Sequence, residues 1–165
     1  MIRVLVAYAS ERGGTAEIAG WVGAALRQAG TEADVRPAGE VASLDDYDAV
    51  VVGGALYEGR WHWEARRFAR RHAGELEHRP VWLFSSGPLD HTAREGVIEP
   101  VPGVSKFAAR LHARDHATFG GCLSPDAKGF LASKIAKRMS GDYRDRDQVA
   151  EWAAGIAREL RKVAV

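Results

Sequence analysis

The stretch of this chain best equipped for chemistry is Ser10-Glu11-Arg12-Gly13-Gly14-Thr15. Hydroxyls on Ser10 and Thr15 bracket a glycine pair whose bare backbone lets amide N–H groups approach a bound anion closely. An apolar run, Ile2 to Ala9, precedes the stretch, and a helical pattern opens at Thr15. The unpaired N–H groups and the dipole of that helix therefore face the same place. Arg12 can add charge. These features suit a phosphate; they also suit an ordinary strand-to-helix turn capped by Thr15. The Gly-Lys-Ser/Thr of a nucleotide-hydrolase loop and the G-x-G-x-x-G of a dinucleotide site are both missing.

Two further loops carry groups able to flank a planar ring. The first runs from Gly53 through Ala55, Leu56, Tyr57, Glu58, Gly59, Arg60 and Trp61 to His62. The second contains Ser85, Ser86, Gly87, Pro88, Leu89, Asp90 and His91. Both combine flexible glycines with backbone amides that could address a ring's polar edge. Tyr57 and Trp61 could stack on it, although Trp61 also fits the core at a helix entry. Glu58, Asp90 and His91 are the titratable groups best placed to protonate a substrate beside such a ring.

Alternating apolar runs and helix-period segments must position these loops. Ile2 to Ala9 reads as a central buried strand, followed by a helix over Thr15 to Gln28 with Gly30 at its end. A short strand is expected at Ala33 to Arg36 and a strong one at Ala49 to Gly54. His62 to Leu76 predicts one helix, with Ala65, Phe68, His72 and Leu76 inward and Arg66, Arg67, Arg70 and Arg71 mostly outward. Pro80 to Ser85 and His116 to Leu123 predict two more strands. Helices are expected around Val104 to Leu111, Phe130 to Met139 and Val149 to Val163. This alternation specifies one α/β domain over residues 1–165, a doubly wound, five-stranded parallel sheet of order 2-1-3-4-5 with helices on both faces. In that layout the three loops converge beyond the carboxyl ends of the strands. The long connection from Ser86 to Gly103 could form a lid there.

Composition narrows the partners. The formal net charge is +1, and arginines far outnumber the five lysines, as in a GC-rich bacterial genome. The longest apolar runs, such as Ala49 to Ala55, are strand-length. The N-terminus lacks a signal peptide's apolar core, and the single cysteine, Cys122, permits no internal disulfide. These features point to the cytoplasm, with Cys122 as small core filler. His112 and His116 stand four apart, but a strand beginning at Asp115 breaks their helical register, so no metal site is expected. The expected state is a soluble monomer or small homo-oligomer with no nucleic-acid partner and at most peripheral membrane contact.

Taken together, these segments resemble the flavodoxin superfamily, and within it the menaquinone-dependent protoporphyrinogen IX dehydrogenase group. The resemblance rests on Ser10-x-x-Gly13-x-Thr15 with Glu17-Ile18-Ala19, on Asp48 to Tyr57 with Gly59, and on Phe68 to His72. It continues through Gly121-Cys122-Leu123, Lys134 to Lys137, Met139-Ser140-Gly141 and Val149 to Glu159. It implies a flavodoxin-like fold and non-covalent FMN, with the phosphate on Ser10 to Thr15. The ring would lie between Ala55–Arg60 and Ser86–Asp90. It also implies oxidation or reduction of a small-molecule substrate, with a quinone as electron acceptor in the heme-pathway members of the group. The chain is shorter than the group's pattern between Leu123 and Met139 and between Asp142 and Gln148. Those departures bear on the porphyrin substrate and on membrane docking, and leave the cofactor loops intact. The deazaflavin F420, with its tricyclic ring and phosphorylated ribityl chain, fits the same three loops as an alternative cofactor. A non-enzymatic electron carrier is the other alternative; carriers of that kind are steered by strong negative fields, which a charge of +1 does not provide.

Overall fold

The computed structural model of the protein describes residues 1–10, 13–87, 100–123, 141–142 and 144–163. Five parallel strands form the main sheet: β1 (Arg3–Ala9), β2 (Glu32–Pro37), β3 (Ala49–Tyr57), β5 (Val81–Ser86) and β6 (Asp115–Phe119). Their spatial order is β2-β1-β3-β5-β6, the predicted doubly wound arrangement. A two-residue strand, β4 (Arg60–Trp61), runs antiparallel to the end of β3. A separate ribbon pairs β7 (Cys122–Leu123) with β8 (Gly141–Asp142).

The uninterrupted apolar runs of β1, β3 and β5 are explained by helices on both sheet faces. On one face α1 (Gly14–Gln28) and the last helix, α5 (Arg146–Val163), bury Ile18, Val22, Leu26, Ala153 and Ile156 against Val4, Val6, Val51 and Phe84. On the other, α2 (Trp63–Arg71), α3 (Ala73–Leu76) and α4 (Pro102–Leu111) bury Phe68, Leu76, Phe107 and Leu111 against Leu5, Val50, Val52 and Leu83. Helix α1 ends as its sequence predicts. Gly30 has φ 91°, its N–H bonds to the Arg27 carbonyl, and the Thr31 N–H bonds to the Leu26 carbonyl. These are the paired bonds of a Schellman stop.

Three expectations need correction. The segment after β3, read as a loop, is a tight hairpin. Glu58 and Gly59 both have positive φ, 50° and 75°, as a two-residue I′ turn requires, and register Tyr57 with Arg60 and Leu56 with Trp61. The helix predicted over His62 to Leu76 is broken at His72, where φ is −104° and ψ 13°. The apolar face survives the break, because Ala65, Phe68, Ala69, Ala73 and Leu76 all stay buried. The strand predicted over His116 to Leu123 stops at Phe119, and Gly120-Gly121 separates it from β7. Gly121 lies against the turn after β5, where a Cβ would stand 3.0 Å from the Gly87 carbonyl oxygen. The expected helix at Phe130 to Met139 lies outside the described residues.

Gly53 and Gly54, which end the strand expected at Ala49 to Gly54 and also open the loop read after it, are buried inside β3. Each makes room for an aromatic ring, on opposite faces of the strand. A Cβ on Gly53 would stand 1.9 Å from Phe84 Cζ, and one on Gly54 would stand 2.6 Å from Trp61 Nε1.

Candidate functional site

The carboxyl edge of the sheet gathers the described parts of all three predicted loops. Gly13 caps α1 with φ 83° and ψ −15°, a left-handed conformation that favours glycine. Among the described residues, no side chain caps this helix. Thr15, expected as a cap in the ordinary-turn alternative, lies one residue inside α1 and turns elsewhere. The first backbone bond of the helix runs from the Glu17 N–H to the Gly13 carbonyl, leaving the preceding N–H groups to face the loop. Ser10 folds back over the turn, its Oγ accepting from the Gly13 N–H at 3.2 Å. Glu11 and Arg12 lie outside the described residues.

Thr15 Oγ1 and Ser86 Oγ are 2.6 Å apart, and both side chains are buried. This bond ties the first turn of α1 to the end of β5 across the intervening β3, joining two of the predicted loops. Gly87 continues from Ser86, with its N–H donating to the Phe119 carbonyl at 3.2 Å. Pro88, Leu89, Asp90 and His91, with most of the expected lid, lie outside the described residues.

The third loop is the β3–β4 hairpin. Ala55 is buried at its base, Leu56 and Tyr57 are half-buried, and Glu58, Gly59 and Arg60 are exposed at its tip. Leu56 packs against the core and limits the space over Gly87, where a Cβ would stand 3.0 Å from the Leu56 Cβ. Tyr57 meets His62 edge-on, with 5.8 Å between ring centroids. His62 is itself fixed, since its Nδ1 accepts from the Glu64 N–H and caps α2. Trp61, one of the two expected stacking groups, is 2% exposed, donates from Nε1 to the Phe84 carbonyl at 3.3 Å and packs toward Phe107. It belongs to the core.

One polar pair near this edge escaped the sequence reading. His116 on β6 places Nε2 2.9 Å from Ser85 Oγ, while its Nδ1 is buried without a hydrogen-bond partner. Burial pushes this imidazole down to about 4, against the opposing pull of the Asp115 carboxylate. It is therefore neutral near pH 7. His112 caps α4 in a left-handed conformation. Among the described residues, no three His, Cys, Asp or Glu side chains come together as metal ligands.

Arg144 was also missed. Its Nη1 stands 3.2 Å from Glu17 Oε2 in the first turn of α1 and 3.5 Å from the Gly14 carbonyl oxygen. The signal for it is faint in sequence: Asp145 opens α5 as its cap, accepting from the Asp147 and Gln148 N–H groups, and so fixes the residue before it.

This fold and this edge define a protein class, and comparison with known proteins agrees. A Flavodoxin domain family model matches residues 5–151, and the chain belongs to that family. Among curated proteins it is similar to the protoporphyrinogen IX dehydrogenase [quinone] of Escherichia coli strain K12. The two are 25% identical over 172 residues, covering 94% of this chain and 95% of the relative. A two-electron reduced flavodoxin of Megasphaera elsdenii aligns with TM-score 0.61 at 18% identity, over 92% of this chain and 98% of that one. Rubredoxin oxygen:oxidoreductase of Desulfovibrio gigas aligns with TM-score 0.66 at 14% identity, over 97% of this chain and 36% of that longer one. At such identities the likeness to the two solved structures establishes the fold. No helix among the described residues is long and apolar enough to cross a membrane.

Proposed function

We propose that the chain holds FMN non-covalently at the carboxyl edge of its sheet and acts as an oxidoreductase on a small-molecule substrate, with a quinone as electron acceptor. The observation that carries this reading is the buried Thr15–Ser86 hydroxyl pair, 2.6 Å apart, beside a helix start that no described side chain caps. The donor set suits a phosphate monoester: two hydroxyls, the N–H groups of the first turn of α1, and a left-handed glycine that turns the chain around them. Family membership supports a flavin there.

In this reading Ser10, Gly13, Gly14 and Thr15 hold the phosphate, and Ser86 orients Thr15. Tyr57, fixed edge-on by His62, flanks the ring from the hairpin side. Ala55 to Arg60 and Ser86 to Asp90 bound the ring, with Glu11 and Arg12 completing the phosphate loop. Glu58 at the hairpin tip and the Asp90–His91 pair are the groups available to move a proton at the substrate. Bound FMN would supply hydride and single-electron transfer. Similarity over almost the full length of a quinone-dependent dehydrogenase favours an enzyme over a carrier.

The test is turnover. FMN-loaded protein should couple oxidation of a reduced small-molecule donor to reduction of a soluble menaquinone analogue, with saturation in both. Reduction of protein acceptors only would make the chain an electron carrier.

A further inference from the structure

We propose that Arg144 determines specificity for the phosphate of the bound cofactor; the inference rests on the phosphate site proposed above. The first turn of α1 contains an acidic residue, Glu17, only three positions after Gly14. A carboxylate there favours the helix dipole but repels a phosphate dianion arriving at the same N-terminus. Arg144 answers that conflict. Its guanidinium lies 3.2 Å from Glu17 Oε2, and its side chain is only 9% exposed, whereas that of Glu17 is 63% exposed. The charge that neutralises is thus the sheltered one, less screened by salt than the charge it neutralises.

The position of Arg144 is built rather than incidental. Its guanidinium carbon stacks 5.0 Å from the centroid of Trp21, one turn of α1 further on, and Arg146 approaches the same ring at 5.7 Å. Asp145 between them caps α5, so the helix start sets the geometry of both arginines. Helices α1 and α5 pack side by side through Ile18, Val22, Val149 and Ala153. Arg144 and Arg146 therefore both reach the first two turns of α1, and Arg144 offsets the Glu17 carboxylate beside the loop. Nη1 also points at the Gly14 carbonyl, 3.5 Å away, which holds the loop's second glycine in place. Without Arg144 the Glu17 carboxylate would stand unopposed by it against a phosphate dianion at this loop. The arginine adds a preference for the dianion.

Titrating apo-protein with FMN and, separately, with riboflavin isolates the phosphate. Arg144→Met should weaken FMN binding by about tenfold at low salt and leave riboflavin affinity within about twofold. The FMN loss should shrink at high salt. Arg144→Lys, which keeps the charge, should stay within about threefold of the parent for FMN. Adding Glu17→Gln to Arg144→Met should recover part of the lost affinity, since it removes the exposed repulsion. Circular dichroism and thermal unfolding establish that each variant is folded, and the Glu17→Gln rescue stands even if Arg144→Met is less stable. Equal losses for FMN and riboflavin, or no rescue by Glu17→Gln, would make Arg144 a purely structural clamp and overturn the proposal. Failure of the unsubstituted protein to bind either ring overturns the flavin site itself and this inference with it.

Discussion

The bond between Thr15 and Ser86 is the contact on which the site geometry depends, and it can be broken from either side. Thr15→Val keeps the shape of the side chain and removes its hydroxyl; Ser86→Ala does the same for the partner. The two oxygens are 2.6 Å apart and both side chains are buried, 2% and 5% exposed, so each single change strands a polar group away from water. That costs about 1–3 kcal/mol per variant. In a chain of this length, about 2 kcal/mol lowers the unfolding midpoint by roughly 4–8 °C. Removing both hydroxyls leaves no stranded partner, so the double variant should be more stable than the sum of the single losses, by about 1 kcal/mol. Urea unfolding of the four apo-proteins measures this cycle. FMN titration of the same four should show about a tenfold loss for either single variant, about 1.4 kcal/mol, and little further loss in the double variant, since Ser86 acts through Thr15. Stability losses that add within about 0.3 kcal/mol would mean that the two hydroxyls do not bond, and the coupling of the two loops would be refuted.

Gly53→Ala should cost at least about 2 kcal/mol, because its Cβ would stand 1.9 Å from Phe84 Cζ in a packed sheet; an unchanged denaturation midpoint would contradict the packing described. Gly13→Ala meets no neighbouring atom, so its cost of about 1 kcal/mol comes from φ 83° alone and should appear together with weakened FMN binding, read by calorimetry. His116 is held at about 4 when folded, below its ordinary value of 6.5, so between these pH values the folded chain binds fewer protons than the unfolded one. Stability should therefore be complete above pH 6.5 and fall toward pH 4, by about 1–2 kcal/mol after allowing for part exposure. His116→Leu should remove that component, and an imidazole NMR titration midpoint near 6.5 in the folded protein would contradict it.

How much of this was legible depends on the length scale of each feature. The runs Val4–Ala7, Ala49–Val52 and Val81–Phe84 are apolar without interruption because helices cover both faces, and that pattern survives in one dimension. The phosphate loop was legible for the same local reason: Ser10, Gly13 and Thr15 lie within six positions. The hairpin was missed because β4 has two residues, too few to show any period, and its turn depends on a positive φ at Glu58, which nothing in a glutamate announces. The break at His72 was invisible because it leaves the apolar face in register. Gly53 and Gly54 look flexible in sequence, yet they are fixed by Phe84 and Trp61, whose approach is a tertiary fact. Arg144 and Glu17 are far apart in the chain, and Ser85 and His116 meet only across paired strands, so neither contact leaves a local trace.

The most direct test of the central claim is the identity of the small molecule that the purified protein releases on denaturation. The account predicts a yellow protein that releases FMN, recognised by its mass and its flavin absorption bands, with apo-protein taking FMN back stoichiometrically. Release of the deazaflavin F420, or an apo-protein that binds no FMN, would contradict it.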